Sequence, residues 1–301
     1  GVALVGAAMV QSALVPFHGW LLASMTAPTP ASALMHAGFV NAGGILLVRF
    51  APVVSAELDV MLGIVAAGAA SALVGKLLKT VQADVKGQLG CSTVGQMGFM
   101  IMQAGLGFFS AAVAHLILHG FYKAFQFLGS GAQIAHERPD DGDRAPAAGA
   151  VGLAVTAVTA LLGGVVFTVF VGKGAGLDSG VVLTVLVVLM VVHATRQVVG
   201  RAALPAAIRY GAVPAIALPA IAVYGGVFTA VEALMSDLPG VTSPTELTVV
   251  HALVVGAFLL AYVGIDRGLY RDSRRLYVAL LNIGRPPPST VVTAREEYDD
   301  A

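Results

Sequence analysis

Residues 108–133 read FFSAAVAHLILHGFYKAFQFLGSGAQ, an apolar run that carries three titratable side chains at intervals of four residues. This spacing places His115, His119 and Lys123 on one face of a helix, with neighbours about 6 Å apart. A charged lysine near the centre of a bilayer costs about 2.5–3.5 kcal/mol on insertion scales, so it is rarely present for packing alone. The run therefore predicts a membrane helix with a functional polar face.

The composition places the chain in a lipid bilayer. Hydrophobic residues make up 57% of the 301 residues, charged residues make up 11%, and the mean hydropathy is +0.85. A soluble domain carries about 25% charged residues, more than twice as many. The formal net charge is zero, which argues against a nucleic-acid partner. The single cysteine, Cys91, excludes an internal disulfide and a cysteine-rich zinc or iron–sulfur site.

Apolar runs of about 20 residues mark membrane-spanning helices. They predict an all-α fold, a polytopic membrane helix bundle of about nine transmembrane helices, some of them broken. Pro16 should break or kink the first helix, and Gly120, Gly129 and Gly131 should allow a local break in the fifth. The predicted spans are residues 1–24, 30–54, 57–79, 84–106, 107–135, 148–172, 177–199, 211–235 and 245–268.

Polar stretches divide the chain into four parts. The segment HERPDDGDRAP, residues 136–146, separates the first five predicted spans from the last four. We expect a transmembrane core over residues 1–135, a cytoplasmic loop over 136–147, four transmembrane helices over 148–270 and a cytoplasmic tail over 271–301. The chain opens at Gly1 inside a hydrophobic stretch that lacks a charged signal-peptide region, so we expect the C-terminal part of a longer protein.

The basic residues gather on one side of the predicted bundle. By the positive-inside rule that side is cytoplasmic, and the tail lies there too. We therefore expect a multi-pass protein of the plasma membrane with a cytoplasmic C-terminus. The basic residues on that side are Lys76, Lys79, Lys86, Arg138, Arg144, Arg196, Arg201, Arg209 and the arginines of the tail, whereas Arg49 and Lys173 lie on the other side.

The tail has a helical pattern followed by a proline run. Leu276, Leu280 and Leu281 follow a basic cluster, which predicts a short amphipathic helix at the membrane surface. The prolines at 286–288 should then force an extended segment. The tail is either held near the headgroups by its arginines or docks a cytoplasmic partner. The candidate docking residues are Arg271, Arg274, Arg275 and Tyr277.

Further titratable residues lie in or near the predicted spans, and no carboxylate lies deep within one. A hydrated, irregular helix around Asn41 favours a functional role for His36. His18 either supports the break at Pro16 or takes part in function, and His193 and His251 are expected to hydrogen-bond across helices. Candidate relay or supporting residues near one membrane border are Lys76, Lys79, Asp84 and Lys86.

No cofactor, metal site or enzyme active site is predicted from these patterns. Two histidines four residues apart can bind zinc, but a third ligand is needed and Lys123 on the same face would repel a cation. The pattern lacks the glutamate of an HExxH motif. No phosphate-binding glycine loop, nucleophile elbow or dinucleotide fingerprint occurs in the chain.

Three blocks carry a resemblance to a known family. They read SALVPFHGWLLASMTAPTPASALMHAGFVNAGG at 12–44, DVKGQLGCSTVGQMGFM at 84–100 and AAVAHLILHGFYKAFQFLGSGAQI at 111–134. In this order they resemble the antiporter-like subunits of respiratory complex I and of Mrp-type cation/proton antiporters. The first two blocks, with the tail RLYVALLNIGRPPPSTVVTAREEY, are most similar to the DabB membrane subunits of inorganic-carbon accumulation complexes.

The resemblance implies roles for individual residues. His36 corresponds to the mid-membrane histidine of the family, and Lys86 with Asp84 corresponds to its DxK motif. His115, His119 and Lys123 match the central proton relay. Gln11 stands where many antiporter-like subunits have a lysine before the proline-rich turn.

The resemblance also implies a function and a partner. DabB subunits are thought to conduct protons and to work with a large soluble DabA subunit that resembles a zinc-dependent carbonic anhydrase, so the zinc would belong to that partner on the cytoplasmic face. The leading hypothesis is a proton-translocating subunit, not an enzyme, that energises uptake of CO2 or bicarbonate. The alternatives are a complex I or Mrp-type Na⁺/H⁺ antiporter subunit and a non-transporting membrane anchor for a cytoplasmic partner.

Overall fold

A computed structural model describes residues 1–131, 149–172, 178–199, 205–241 and 244–285. The secondary structure of these residues consists of helices, and an isolated bridge pairs Asp178 with Glu246. Short 3-10 turns lie at Ser24–Thr26 and Phe39–Asn41. The α-helices are α1 Val2–Gln11, α2 Gly19–Ala23, α3 Thr29–Ala37, α4 Ala42–Arg49, α5 Ala51–Val54, α6 Leu58–Val81, α7 Val85–Gly105, α8 Phe109–Leu128, α9 Ala150–Val171, α10 Gly180–Val199, α11 Ala206–Leu234, α12 Val249–Asp266, α13 Leu269–Asp272 and α14 Arg274–Ile283.

The prediction of a polytopic all-α membrane bundle is confirmed, whereas the count of nine spans is not. Five helical segments of the described residues are long and apolar enough to cross a bilayer. Helices α7 and α8 have 21 and 20 residues, but both contain polar side chains at regular intervals. The five segments are Thr29–Arg49, Leu58–Val81, Ala150–Val171, Ala206–Leu234 and Val249–Asp266.

Two broken helices pack against each other near the N-terminus. The first predicted span ends as an α-helix at Gln11 and resumes at Gly19, so the break around Pro16 is confirmed. The second break is the 3-10 turn between α3 and α4. Gln11 donates to the carbonyl of Phe39 at 3.1 Å and Ser12 donates to that of Val40 at 2.7 Å. These two carbonyls therefore have side-chain donors, as a break within a bilayer requires.

The break predicted in the fifth span lies at Gly129 and not at Gly120. Helix α8 runs without interruption from Phe109 to Leu128, and Gly129 forms the turn that ends it. Gly120 has a packing role, because a Cβ there would lie 3.1 Å from the carbonyl oxygen of Ala37 in α3. Gly131 is helical again, and residues 132–135 lie outside the described part of the chain.

Contacts between segments distant in sequence define two ends of the bundle. At one end, Ser179 Oγ donates to the carbonyl of Leu106 at 2.6 Å, and Ser179 N donates to that of Thr245 at 3.0 Å. The other end, which we call the basic end, holds residues 24–28, 79–86, 196–199 and 266–285. The described basic residues assigned to the cytoplasmic side lie at or near this end. The side of the membrane that the basic end faces stays a prediction. The structure does not describe residues 138, 144, 173 and 201 or the side chain of residue 209.

The tail forms the predicted amphipathic helix. Ser273 caps α14 by accepting from the backbone nitrogen of Leu276 at 3.3 Å. Leu280 is buried in a cluster with Leu22, Leu78 and Tyr270, while most of the helix is exposed. The tail helix is therefore anchored on α2 and α6 at the basic end. The proline run at 286–288 lies outside the described residues.

Helices α6 and α7 approach closely because glycines line their contact. A Cβ at Gly68 would lie 2.6 Å from the backbone nitrogen of Met102, and one at Gly105 would lie 2.7 Å from that of Val65. These contacts are to backbone, which cannot move aside as a side chain can. Small residues therefore set the distance between the two helices, as they do between many membrane helices.

We predict that Gly68→Ala destabilises the protein by about 1–3 kcal/mol, the usual cost of overpacking. The matched control is Gly63→Ala on the same helix, where a Cβ would meet nothing within 4 Å. The measurement is the thermal stability of each variant in detergent. Equal melting temperatures for the two variants would show that the α6–α7 distance is not set by glycine.

Candidate functional site

Helix α8 brings the three predicted relay residues together on its buried side. Lys123 has no exposed surface, His119 is 4% exposed, and His115 is partly buried. The rings of His115 and His119 lie 6.0 Å apart between centroids. The side of α8 that carries these residues packs on α3, α7 and α11, whereas Phe121 and Phe125 are exposed on the opposite side. The helical periodicity that predicted this ladder therefore matches its geometry.

Two acceptors from α7 hold the amine of Lys123. Nζ donates to the carbonyl of Leu89 at 3.1 Å and to the hydroxyl of Ser92. An ammonium has three hydrogens, and these are the two acceptors that the described residues offer it. One hydrogen is therefore left without an acceptor among the described residues.

His119 stands at the centre of the candidate site. Both of its ring nitrogens are buried and have no hydrogen-bond partner among the described residues. A buried polar atom without a partner costs about 1–3 kcal/mol, so such atoms are normally bonded to protein or to water. His119 also lies within range of electrostatic interaction with His115, Lys123 and His36. Water is therefore the partner that would satisfy these two nitrogens.

A chain of hydrogen bonds orients His115. Tyr224 Oη donates its one hydrogen to the carbonyl of Ala111 at 3.4 Å. Toward Gln103 the same hydroxyl is therefore an acceptor, and it accepts from the amide nitrogen of Gln103 at 3.0 Å. The Gln103 oxygen then faces Nδ1 of His115 at 3.2 Å and can only accept. Nδ1 of His115 therefore carries hydrogen, and Nε2 of the neutral ring remains an acceptor.

A cavity of about 630 Å³ joins the ladder to the C-terminal helices. His115, His119 and Ser92 line it from α7 and α8, and Lys76 and Lys79 line it from α6. His193, Tyr224 and Tyr262 line it from α10, α11 and α12, and most of the remaining lining is apolar. A cavity of this size holds several water molecules wherever polar groups are available to bond them.

His36 and Lys86 extend the site toward the basic end. Nε2 of His36 lies 3.2 Å from the hydroxyl of Ser24, and its ring lies 4.7 Å from that of Phe127. Nζ of Lys86 donates to the carbonyl of Ala27 at 2.7 Å. His36 is within range of electrostatic interaction with both Lys123 and Lys86. His36 thus interacts electrostatically with the ladder, whereas His115 and His119 are the members of the set that line the cavity.

Other candidate residues lie outside this region. Asp84 is the N-cap of α7, since its carboxylate accepts from the backbone nitrogen of Gly87 at 2.6 Å. His18 lies 3.0 Å from the carbonyl of Ile283 and so joins the first break to the tail helix. His251 caps the start of α12 through Thr248. The predicted docking residues Arg271, Arg274, Arg275 and Tyr277 are exposed on α13 and α14.

The sequence did not identify the neutral partners in the site. Ser92 bonds Lys123 at one end of the ladder, and Gln103 with Tyr224 holds His115 at the other. In the sequence these partners could have been noticed only as polar residues within apolar runs. His193, expected to bond across helices, does so with Nζ of Lys76 at 3.2 Å. Among the described residues no group of three metal-ligating side chains is present.

Comparison with known proteins agrees with this architecture. Residues 1–145 match the family model described as the transmembrane domain of NADH:quinone oxidoreductase and Mrp antiporters. This part of the chain is similar to that family. Here it is called the antiporter-like part.

Individual relatives show the same likeness. The chain is 53% identical over 135 residues to the "Probable inorganic carbon transporter subunit DabB1" of Halothiobacillus neapolitanus, an alignment that covers 45% of this chain and 24% of that protein. It is 41% identical over 145 residues to "NADH-quinone oxidoreductase subunit L" of Mycobacterium tuberculosis, an alignment that covers 46% of this chain and 23% of that protein. The alignments thus span about a quarter of the length of these relatives. The resemblance to DabB subunits is confirmed over the antiporter-like part.

A solved structure shows the same fold over most of the chain. The structure of an Mrp complex from Dietzia sp. DQ12-45-1b aligns with a TM-score of 0.53 and 23% identity, covering 93% of this chain and 36% of that one. The chain therefore shares its multi-pass helical fold with that structure.

We predict that Tyr224→Phe destabilises the protein by about 1–3 kcal/mol, because the buried amide of Gln103 loses its acceptor. The control is Tyr122→Phe, which removes an exposed hydroxyl that accepts from Gln126 at 2.8 Å. Thermal unfolding in detergent compares the two variants. If Tyr224→Phe were as stable as Tyr122→Phe, the Gln103 chain would not be what orients His115.

Proposed function

We propose that the chain is a proton-conducting membrane subunit that energises uptake of inorganic carbon by a soluble partner. The observation that carries this proposal is the fully buried Lys123, held by two acceptors. Beside it lies the imidazole of His119, which has no hydrogen-bond partner among the described residues. A buried lysine in a membrane is costly and marks an ion pathway or a proton relay. The names of the DabB relatives supply the link to inorganic carbon.

The pathway uses the titratable groups in the order in which the fold arranges them. Protons enter or leave the pathway at the basic end, near Lys86. His36 connects this end with Lys123. Lys123 and His119 exchange the proton through water, and His115 passes it on through its acceptor nitrogen. Histidine suits each intermediate step because its two ring nitrogens can accept a proton on one side and release one on the other. The cavity offers room for water beside His115 and His119, which line it.

Energy reaches the partner at the basic end. When protons arrive there, the charge around Lys86 and the tail changes, and a docked protein responds to that change. Helix α14 offers a docking surface because Arg274, Arg275 and Tyr277 are exposed while Leu280 anchors the helix to the bundle. The partner is a large soluble protein that resembles a zinc carbonic anhydrase, and it lies on the cytoplasmic face of the plasma membrane.

Removing the relay should abolish function without preventing assembly. Lys123→Ala and His119→Ala are expected to lower gradient-dependent carbon uptake by at least about 100-fold, the lower range for loss of a proton-transfer group. The measurements are uptake of labelled bicarbonate and co-purification of the partner. The control is His251→Gln, which removes a buried histidine that caps a helix at the opposite end of the bundle.

Parental uptake in both relay variants would remove the ladder from the mechanism. The same vesicles distinguish the antiporter hypothesis, which requires sodium-stimulated proton flux. A proton-conducting carbon-uptake subunit predicts equal flux in sodium and potassium media. Sodium dependence that is lost in Lys123→Ala would assign the chain to cation exchange instead.

Reversing the charge of the tail tests the docking surface separately. We predict that the double variant Arg274→Glu, Arg275→Glu releases the soluble partner while proton flux through the membrane subunit persists. Co-purification and vesicle flux are measured on the same preparation. Arg49→Glu, at an exposed position near the other end of the bundle, is the charge-matched control. If the tail variant kept its partner, docking would not depend on α14. The anchor hypothesis would instead be supported if tail variants abolished uptake while relay variants had no effect.

A further inference from the structure

The C-terminal helices reach the cavity through a polar contact that belongs to neither the ladder nor its family motif. Nζ of Lys76 on α6 lies 3.2 Å from Nε2 of His193 on α10. Both residues line the same cavity as His115 and His119. Helix α10 lies outside the region that matches the family model, which ends at residue 145. The contact therefore joins the antiporter-like part to helices without a family motif.

The geometry of this contact suits the transfer of one proton. A lysine ammonium has only donors, so Nε2 of His193 is the acceptor when Lys76 is charged. Transfer along the contact breaks one N–H bond on Lys76 and forms one on His193, and the total charge of the pair stays the same. Two positive charges at this distance would repel strongly, so the pair holds one transferable proton at a time.

The contact continues toward the basic end on two facing helices. The ring of His193 meets that of Tyr262 on α12 edge-on at 5.8 Å between centroids. Arg196, one turn after His193, donates to the hydroxyl of Tyr262 at 3.3 Å and pairs with Asp266 at 3.2 Å. Asp266 is partly exposed, and its carboxylate interacts electrostatically with His193. A proton acceptor that water can reach therefore lies next to the end of the contact.

Charged groups on three helices interact electrostatically with His193. Lys76 and Lys79 face it from α6, Arg196 belongs to its own helix, and Asp266 is contributed by α12. Asp266 is the acidic group among them, so a proton leaving the imidazolium moves toward it and away from the lysines. Arg196 is a positioning residue, because a guanidinium does not release its proton and instead fixes the carboxylate.

We propose that Lys76 and His193 form a second proton branch, leading from the cavity to the basic end through the C-terminal helices. The Lys76 ammonium passes a proton to Nε2 of His193. The imidazolium then releases a proton to water beside Asp266 and becomes neutral, and Lys76 is reprotonated from the cavity. The branch rests on the proposed proton conduction and gives the C-terminal helices a direct part in it.

The test combines two substitutions with chemical rescue in membrane vesicles that contain the whole complex. His193→Ala and Lys76→Met should each lower flux through the branch at least about 100-fold, the lower range for loss of a proton-transfer group. Imidazole added to the medium should restore flux in His193→Ala, because the truncated side chain leaves room at the wall of the cavity. Lys76→Met should not respond to imidazole. If His193 served only for packing, free imidazole would not restore proton flux in His193→Ala.

The control is Thr195→Val, a buried position on α10 whose hydroxyl bonds only to Val191 of its own helix among the described residues, at 2.8 Å. Lys123→Ala is measured in the same vesicles. Parental flux in both branch variants, or a loss that imidazole does not restore, would overturn the branch. If Lys123→Ala abolishes flux under these conditions, proton conduction stands and only the branch is wrong. If Lys123→Ala also keeps parental flux, proton conduction itself is wrong.

Discussion

The packing of this bundle depends on one constraint: an ionisable side chain held where lipid excludes water must be given hydrogen-bond partners by the protein. Lys123 has no exposed surface, and its amine is kept in place by a carbonyl and a hydroxyl on α7. This requirement fixes the register of α8 against α7. Helix α7 in turn packs on α6 at a distance that Gly68 and Gly105 set. The buried amine and the glycine contact together position the wall of the cavity on which the remaining titratable groups lie.

The same constraint explains why the broken helices are tolerated. Backbone groups freed at a break must find partners inside the protein, and Gln11 and Ser12 supply them for the break between α3 and α4. That break follows directly after His36, whose ring nitrogen lies 3.2 Å from the hydroxyl of Ser24, the C-cap of α2. The two irregular segments thus support each other and place a histidine between Lys86 and Lys123. An uninterrupted helix at either position would not bring these groups together.

Local pattern was sufficient to predict much of the fold and half of the site. Four-residue spacing predicted the common face of His115, His119 and Lys123, and Pro16 predicted the first break. Gly120 was misjudged, because a glycine that admits a neighbouring helix looks the same in sequence as one that ends a helix. The pairs Gln103–Tyr224 and Lys76–His193 are separated by 121 and 117 residues. A single sequence does not show which helices are neighbours, so these partners required the structure.

The most direct measurement is a high-resolution cryo-EM map of the intact complex in lipid nanodiscs. A hydrated relay predicts ordered water within hydrogen-bond distance of both ring nitrogens of His119. It also predicts a file of water from His115 past Ser92 to the contact between Lys76 and His193. Continuous acyl-chain density in the cavity, or side chains closed around His119 with no water beside it, would contradict proton conduction through this site.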